Sequence, residues 1–228
     1  MSSARTQVAV LGSTGSIGTN TLDVVARHSD QFEVFALTAA QSVDAIWRQC
    51  VQFKPRMVVM AQADAGRKLQ DLCRREGLST QVLWGAAAID GVASHPDVDV
   101  VMAAIVGAAG LSPCLAAASA GKRLLLANKE ALVVGGQLFK DVVRQGGATL
   151  LPIDSEHSAI FQSLPEDSAT WASRVDKIIL TASGGPFRTR DPLTFSLVSP
   201  QEACSHPNWV MGRKISVDSA TMMNKALE

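Results

Sequence analysis

The chain has 228 residues, which is enough for one large domain or two modest domains with a substantial core. Hydrophobic residues make up 47% of it, so the composition is that of a globular protein rather than a disordered one. The 21 basic and 21 acidic residues balance, and only 5% of the residues are aromatic. This balance argues against nucleic acid or an anionic membrane as a partner.

The four cysteines are Cys50, Cys73, Cys114 and Cys204, with no CxxC pair and no histidine at ligand spacing. This pattern favours reduced thiols in a cytoplasmic protein over disulfides or a zinc site. The N-terminus lacks the charged and then apolar pattern of a signal peptide. The longest apolar stretch, 98–111, is too short to cross a bilayer.

Apolar stretches alternate with helix-length stretches through the first two thirds of the chain. The predicted strands are 8–11, 32–37, 57–60, 98–103, 124–127 and 148–151. The predicted helices are 17–28, 43–53, 63–76, 113–120 and 137–145. Unbroken apolar strands between helices predict an α/β fold with a Rossmann-like, doubly wound parallel sheet.

Helices become sparser after residue 150, so the sequence predicts a domain boundary near 148–152. The first predicted domain covers 1–150 and binds a nucleotide. The second covers 151–228 and forms part of an α/β catalytic domain.

A glycine-rich segment directly follows the first predicted strand. Gly12, Gly15 and Gly18 are spaced GxxGxxG and precede a helical pattern. Glycines at this point allow a tight turn and let the backbone approach a pyrophosphate, which then lies at the helix N-terminus. The alternative is a structural turn between strand and helix without a ligand.

The residues after the second predicted strand bear on which dinucleotide would bind. An NAD site usually has an acidic residue here, whereas this chain has Ala40, Gln41 and Ser42. The absence of an acid in this run favours NADP. Arg48, about one helical turn further on, is the nearest candidate cation for a 2′-phosphate.

An acidic segment follows the last predicted strand of the first domain. If the segment is extended, residues two apart point to the same side, so Asp154 and Glu156 direct two carboxylates to one point. Two close carboxylates repel each other unless a cation lies between them, and a hard divalent metal ion does this best. The alternative is a solvated acidic loop.

A last helix is predicted with Asp218 or Ser219 as its N-cap. The polar residues that would then share one face are Thr221, Asn224, Lys225 and Glu228. Hydroxyl, amide and ammonium groups near a helix start could bind a phosphate, and Glu228 could complete a metal site. The alternative is an ordinary solvent-facing helix surface.

Three further motifs each have a functional and a structural interpretation, and the sequence does not decide between them. Ser183, beside Gly184 and Gly185, is either a phosphate contact or a turn residue. The run 128–130 follows a strand end, where parallel sheets bind ligands, but it could equally be a helix start. The run 206–209 could be a lid with an aromatic residue or a buried turn.

Taken in order, six motifs resemble those of the 1-deoxy-D-xylulose 5-phosphate reductoisomerase family. They are GSTGSIG at 12–18, ANKE at 127–130, PIDSEH at 152–157, SGGPF at 183–187, HPNW at 206–209 and KISVDSATMMNK at 214–225. The resemblance covers essentially the whole chain. It implies an NADPH-dependent enzyme of non-mevalonate isoprenoid biosynthesis, which isomerises a phosphorylated ketose and reduces the product to 2-C-methyl-D-erythritol 4-phosphate.

The resemblance also implies a role for each matching residue. The NADPH site would comprise Gly12, Thr14, Gly15, Ser16, Ile17, Ala40, Gln41, Ser42, Asn128, Glu130 and Gly212. The ligands of Mg²⁺ or Mn²⁺ would be Asp154, Glu156 and Glu228. The substrate would contact Lys129, Ser155, Glu156, Ser183, His206, Trp209, Ser219, Asn224, Lys225 and Glu228. Glu156, Lys129 and His206 would be catalytic, with His206 and Trp209 in a closing flap.

The chain departs from the family pattern in three respects, of which the mildest is Ala226 in place of the usual glycine. The family usually has Gly-Lys-Asn where this chain has Ala40, Gln41 and Ser42, so the lysine expected near the 2′-phosphate is absent. The chain also ends within a helical pattern, whereas family members continue and are typically dimers. We therefore expect a C-terminally truncated polypeptide with little or no activity.

Two other functions remain as alternatives. A semialdehyde or homoserine-type dehydrogenase also opens with a glycine-rich turn, and the semialdehyde enzyme needs a nucleophilic thiol. Cys114, which follows Pro113 at a helix start, is the only cysteine placed for that role. The other alternative is a nucleotide-binding module without catalytic activity.

Overall fold

A seven-stranded parallel sheet organises the first part of the chain. The structure, a computed structural model, describes residues 4–227. In chain order, strands β1 to β7 are Thr6–Leu11, Phe32–Ala39, Met57–Met60, Gln81–Trp84, Val100–Ala103, Arg123–Leu126 and Thr149–Pro152. Their order in the sheet is β4-β3-β2-β1-β5-β6-β7, and all neighbours are parallel.

Six helices cover the two faces of this sheet. In chain order, α1 to α6 are Ser16–Arg27, Val43–Phe53, Ala63–Arg75, Ala86–Ala93, Leu111–Ser119 and Lys129–Gly146. Side chains of α1, α2 and α3 form one buried cluster with the sheet, and those of α4, α5 and α6 form the other. The predicted doubly wound α/β fold is therefore confirmed.

The chain reverses its direction of winding between β4 and β5, which places β5 beside β1. Ligands of such sheets bind at the carboxyl ends of the strands on either side of this reversal. The glycine-rich segment follows β1 at this point, and residues 104–107 follow β5.

Two elements of this unit were missing from the sequence prediction. Strand β4 has four residues at the edge of the sheet, where only Val82 is buried, so its apolar pattern is weak. Helix α4 is short and rich in alanine. Helix α6 was predicted only from residue 137, but it begins at Lys129 and is kinked at Gly136 (φ 49°).

The chain divides into two compact units between Asp154 and Ser155. Helices α7 to α11 of the second unit are Ser155–Ser163, Trp171–Arg174, Pro200–Ala203, Arg213–Thr221 and Met223–Leu227. Short 3₁₀ turns cover Ser168–Thr170 and Pro192–Leu197, and the described part of this unit has no strand. None of the helices described in either unit is long and apolar enough to cross a membrane.

Candidate nucleotide, phosphate and metal sites

Glycine is required sterically at two positions of the segment after β1. Gly12 has φ 79°, and a Cβ on it would lie 2.7 Å from the carbonyl oxygen of Ala104. A Cβ on Gly18 would lie 2.5 Å from both the carbonyl oxygen of Gly12 and the Cα of Ser13. These approaches bring the turn after β1 against the loop after β5 and against the first turn of α1.

Buried hydrogen bonds hold the same turn in place. The Ser13 hydroxyl donates to Gln49 Oε1 (2.7 Å), and Gln49 Nε2 donates to the Ser13 carbonyl oxygen (2.9 Å). The backbone N–H of Gly12 donates to Thr38 Oγ1 (2.9 Å). Gln49 was not identified from the sequence, although a glutamine on the core-facing side of an amphipathic helix was a signal for such a role.

The predicted pyrophosphate contacts lie on the outer side of this turn. Thr14 is half-buried, and Gly15, Ser16 and Ile17 are exposed. Gly15 is the N-cap of α1 and provides no side-chain hydrogen bond to the helix start. The first N–H groups of α1 therefore lack a side-chain cap, which suits an anionic ligand.

The predicted ribose segment lies at the carboxyl end of β2. Ala40, Gln41 and Ser42 are all exposed, and Ser42 is the N-cap of α2 without a side-chain hydrogen bond. Gln41 and Ser42 border the cleft between α2 and α3 together with Arg48.

Asn128 has a structural role in the first unit. Its side chain is 3% exposed, caps α6 by accepting from the Ala131 N–H (3.2 Å), and donates to the carbonyl oxygens of Ile105 (2.5 Å) and Gly107 (2.9 Å). The amide thus joins the loops after β5 and β6. The prediction that Asn128 contacts NADPH remains a prediction, but its side chain already has these three partners.

Lys129 and Asp154 form a partly buried ion pair within the first unit. The Lys129 ammonium lies 2.9 Å from Asp154 Oδ2, and the side chains are 13% and 18% exposed. Asp154 Oδ1 is buried and has no hydrogen-bond partner among residues 4–227. A buried carboxylate oxygen without a donor is uncommon in a native protein, so this atom is a candidate metal ligand.

Glu156 lies in a helix, so the extended geometry assumed from the sequence is wrong. Ser155 begins α7, and Glu156 is in its first turn, because a short polar residue and an acid favour a helix start. The Glu156 carboxylate accepts hydrogen bonds from the Lys225 ammonium (2.5 Å) and the Ser155 hydroxyl (2.6 Å). Burial raises the pKa of Glu156, but these two hydrogen bonds, a backbone hydrogen bond and the charge of Lys225 together outweigh burial and lower it to about 2.

The third predicted metal ligand, Glu228, lies outside the described residues. Residues 4–227 contain no group of three His, Cys, Asp or Glu side chains arranged to hold a metal ion. The described part of the predicted metal site thus consists of two carboxylates, each neutralised by a lysine.

A hydroxyl cluster of the second unit contains three of the predicted substrate residues. The backbone N–H groups of Asn208 and Trp209 both donate to His206 Nδ1 (3.2 Å each). In the neutral ring, the hydrogen is therefore on Nε2, which donates to the Ser183 hydroxyl (3.1 Å). The Ser183 hydroxyl also lies 3.4 Å from Ser219 Oγ. Since His206 donates to Ser183, the Ser183 hydrogen can go to Ser219 Oγ or to an acceptor such as a phosphate oxygen.

Tight packing and stacking position this cluster. Gly185 (φ 61°) lies so close to α10 that a Cβ would meet the carbonyl oxygen of Ser219 at 2.6 Å. The Trp209 indole is exposed and stacks on the His206 ring with 4.7 Å between centroids. Gly212, the last predicted cofactor contact, is the exposed N-cap of α10.

The predicted start of the terminal helix is wrong. Helix α10 already begins at Arg213, so Asp218 and Ser219 are interior rather than capping residues. Met222 has φ 60° and separates α10 from α11, so Thr221 does not share one continuous helical stripe with Asn224 and Lys225. Asn224 Oδ1 is buried without a partner in the described chain, and Lys225 Nζ contacts Glu156 instead.

The structure contradicts the thiol-dependent alternative. Cys114 lies in the first turn of α5 as expected, but it is 1% exposed and belongs to the core cluster on that face. Burial raises the pKa of its thiol to about 12. A buried, protonated thiol cannot act as the nucleophile of a semialdehyde dehydrogenase.

The first unit has the fold and glycine-rich turn of dinucleotide-binding domains. The family model for 1-deoxy-D-xylulose 5-phosphate reductoisomerase matches residues 8–136, and the model for the C-terminal domain of that enzyme matches residues 150–228. The chain therefore belongs to the 1-deoxy-D-xylulose 5-phosphate reductoisomerase family.

Individual relatives agree with this assignment. The reductoisomerase of Cupriavidus necator is 60% identical over 97% of this chain, and that of Dechloromonas aromatica is 58% identical over 100%. The chain spans about half the length of these relatives, 56% and 58% respectively.

Solved structures of such enzymes are also similar. A DOX-P reductoisomerase in complex with NADPH, fosmidomycin and magnesium has a TM-score of 0.89 at 45% identity, covering 97% of this chain and 56% of that protein. The enzyme from Zymomonas mobilis in complex with NADPH has a TM-score of 0.89 at 44% identity, covering 98% of this chain and 56% of that protein.

Proposed function

We propose that this chain takes part in the NADPH- and metal-dependent conversion of 1-deoxy-D-xylulose 5-phosphate to 2-C-methyl-D-erythritol 4-phosphate, a step of isoprenoid biosynthesis. The observation that carries this proposal is a pair of partly buried ion pairs, Lys129–Asp154 and Lys225–Glu156. Charges are costly to remove from water, and such groups concentrate at functional sites. All four residues lie at positions that the family motifs associate with metal and substrate.

In this proposal the first unit binds NADPH. The pyrophosphate lies against the N–H groups that begin α1, beside Thr14 and Ser16, because the helix start favours an anion. Glu130 and Gly212 are further proposed contacts. When bound, NADPH supplies the hydride that reduces the aldehyde.

Asp154 and Glu156, with Glu228, are the proposed ligands of Mg²⁺ or Mn²⁺. The described residues fit such an ion, because Asp154 Oδ1 is buried without a donor and both acids provide the oxygen ligands that Mg²⁺ prefers. The lowered pKa keeps the Glu156 carboxylate ionised at neutral pH, so binding a cation releases no proton from it. When bound, the ion stabilises negative charge on the substrate oxygens.

The second unit provides the proposed phosphate contacts. Ser183 and Ser219 offer hydroxyl hydrogens, Asn224 offers its amide, and Lys225 offers an ammonium. His206 holds the Ser183 hydroxyl by donating to it from Nε2, which leaves the serine hydrogen directed elsewhere. Holding the non-reacting phosphate positions the rest of the sugar for reaction.

Four further side chains are proposed around the rest of the substrate, two as polar contacts and two as a cover against water. Ser155 and Lys129 would contact its hydroxyls, while the stacked His206 and Trp209 would exclude water. We also propose a cytoplasmic protein, since the cysteines among the described residues are free thiols, and a homodimer for the full-length form.

Binding measurements on the purified chain test this proposal. We expect NADPH to bind, and a phosphonate-hydroxamate substrate mimic to bind only when Mg²⁺ is present, as measured by isothermal titration. Lys225→Met should lower affinity for the mimic by about 10- to 100-fold, which corresponds to the usual free-energy contribution of a charge-assisted hydrogen bond. Ser183→Ala should lower it less, because it removes a neutral donor.

Lys214→Ala is the matched control, because Lys214 lies on the same unit and its exposed ammonium pairs with Asp218 rather than with Glu156. It should leave affinity for the mimic unchanged. NADPH binding without any Mg²⁺-dependent binding of the mimic would reduce the function to a nucleotide-binding module. Equal losses in the Lys225 and Lys214 variants would contradict the phosphate assignment.

A further inference from the structure

A cleft lined by three cations opens at the carboxyl end of β2. It lies between α2 and α3 and has a volume of about 720 Å³. Gln41 and Ser42 are among the residues that line it. The cations that line it are Arg48 on α2 and Lys68 and Arg75 on α3. Gln41 and Ser42 belong to the segment that, in doubly wound sheets, contacts the ribose of the adenosine half of a dinucleotide.

Arg48 also borders a second cleft, of about 400 Å³, between α1 and α2. That cleft is lined by Thr14 of the glycine-rich turn and by Gln49, whose amide holds that turn. Arg48 thus stands between the proposed pyrophosphate site and the ribose segment. It lies five residues into α2, about 7.5 Å along the axis from the helix start, a distance that a long arginine side chain can span.

The cations of this cleft have no carboxylate partner. No side-chain hydrogen bond or ion pair joins Arg48, Lys68 or Arg75 to another described residue, whereas Arg27 and Arg67 pair with acids on their own helices. All three side chains are exposed, so their charge is available to an incoming anion.

Two acids line the same cleft and oppose this charge. Asp71 lies on α3 between the two cations of that helix, and Asp44 lies in the first turn of α2. The positive end of the α2 dipole stabilises the Asp44 carboxylate. The negative charge of Asp44 bears on cofactor choice, because an acid near the ribose favours NADH over NADPH.

We infer that Arg48, assisted by Lys68, binds the 2′-phosphate of NADPH and is the residue that selects NADPH over NADH in this chain. This inference rests on the proposed function and assigns the role left open by Gln41, where the family usually has lysine. The planar guanidinium can donate two parallel hydrogen bonds to a phosphate, which the uncharged Gln41 amide cannot match in strength.

The test compares the affinities of the whole chain for NADPH and NADH, measured by nucleotide fluorescence at fixed low ionic strength. We expect the wild-type chain to bind NADPH at least about 10-fold more tightly. Arg48→Ala should remove most of that preference by weakening NADPH while leaving NADH within about 2-fold. Lys68→Ala should have a smaller effect of the same kind, and Asp44→Asn should tighten NADPH a few-fold.

Arg74→Ala is the matched control, since it removes the same charge from an exposed position of α3 that does not line this cleft. It should leave the ratio of the two affinities unchanged. Circular dichroism should show unchanged folding in every variant, because all of these side chains are exposed.

The outcomes separate this inference from the function it rests on. An unchanged ratio in both Arg48→Ala and the Arg48→Ala, Lys68→Ala double variant would overturn the inference and leave the NADPH site intact. A wild-type preference for NADH that is lost in Asp44→Asn would also overturn it. Binding of neither dinucleotide to the wild-type chain would refute the nucleotide site itself and the inference with it.

Discussion

Burial separates the cysteines of this chain into reactive and unreactive residues. Cys50, Cys73 and Cys114 are buried, whereas Cys204 is partly exposed. Burial raises the pKa of both Cys50 and Cys114 to about 12, and it also raises the pKa of Cys73. Since the thiolate is the reactive form, the three buried thiols are protected twice, by access and by protonation.

We therefore expect iodoacetamide to label Cys204 alone in the native chain at pH 8. Mass spectrometry of tryptic peptides measures the site, and urea-unfolded protein is the control, in which all four cysteines should react. Rapid native labelling of Cys114 would contradict the burial described here and would restore the thiol-dependent dehydrogenase as an alternative.

The charged residues of the candidate site show which features of a single residue can be predicted from the sequence. The residue types can be predicted, but their ion-pair partners cannot. The sequence identified Asp154 and Glu156, because two acids so close together call for a cation. It could not assign Lys129 to one acid and Lys225 to the other, since these partners lie 25 and 69 residues away. Long-range ion pairs depend on the fold, and the local sequence carries no signal for them.

The turn between β1 and α1 shows the strictest steric demand at the scale of elements. Gly18 lies in the first turn of α1, where a Cβ would lie 2.5 Å from backbone atoms of Gly12 and Ser13. Backbone atoms cannot move aside as a side-chain end can, so any substitution must displace the turn that is proposed to bind the pyrophosphate.

We expect Gly18→Ala to destabilise the chain by about 2 kcal/mol, the usual cost of overpacking, and to lower its midpoint of thermal unfolding by about 4–8 °C. Affinity for NADPH should fall as well, because the turn moves. Gly91→Ala is the control, since Gly91 lies within α4 and an added Cβ there has no atom within 4 Å. It should leave the midpoint unchanged or raise it. Equal midpoints in the two variants would contradict the packing of this turn.

The end of the second unit shows where periodicity misleads. The spacing of polar residues predicted one helix from Asp218 or Ser219, but the chain forms α10 and α11 with a left-handed residue, Met222, between them. Left-handed backbone is uncommon for methionine, so no pattern of polarity could have indicated the break. Lys225, which follows the break, nevertheless contacts Glu156.

At the scale of the whole molecule, the first unit contains all the parts of a stable domain. Its sheet has both faces covered, and each face has its own buried cluster. The glycine-rich turn, Gln49 and Arg48 all belong to this unit, which ends at Asp154. We propose that this unit is an independent nucleotide-binding domain.

We expect a fragment of residues 1–154 to unfold cooperatively and to bind NADPH within about 3-fold of the whole chain. A fragment of residues 1–119 is the control. It lacks β6, α6 and β7, and so removes Leu124, Leu126 and Phe139 from the buried cluster on one face. Differential scanning calorimetry and nucleotide titration measure both properties. A fragment 1–154 without a cooperative transition would contradict the proposed independence of this unit.

The sequence by itself determined the doubly wound sheet, the glycine-rich turn after its first strand and the family. These features are local, since a buried parallel strand is a continuous apolar run and a tight phosphate turn needs glycine at fixed spacing. Strand β4 and helix α4 were missed because such predictions depend on a local apolar pattern. Too few residues of these two short elements follow one.

Only the tertiary structure decided which groups meet. It paired Lys129 with Asp154 and Lys225 with Glu156, directed His206 to Ser183, and placed Arg48 between two clefts. It also committed the Asn128 side chain to three loop contacts and buried Cys114. The physical reason is that contacts between residues far apart in sequence follow from how elements pack, and those contacts decide which buried charges are paired and hydrogen-bonded.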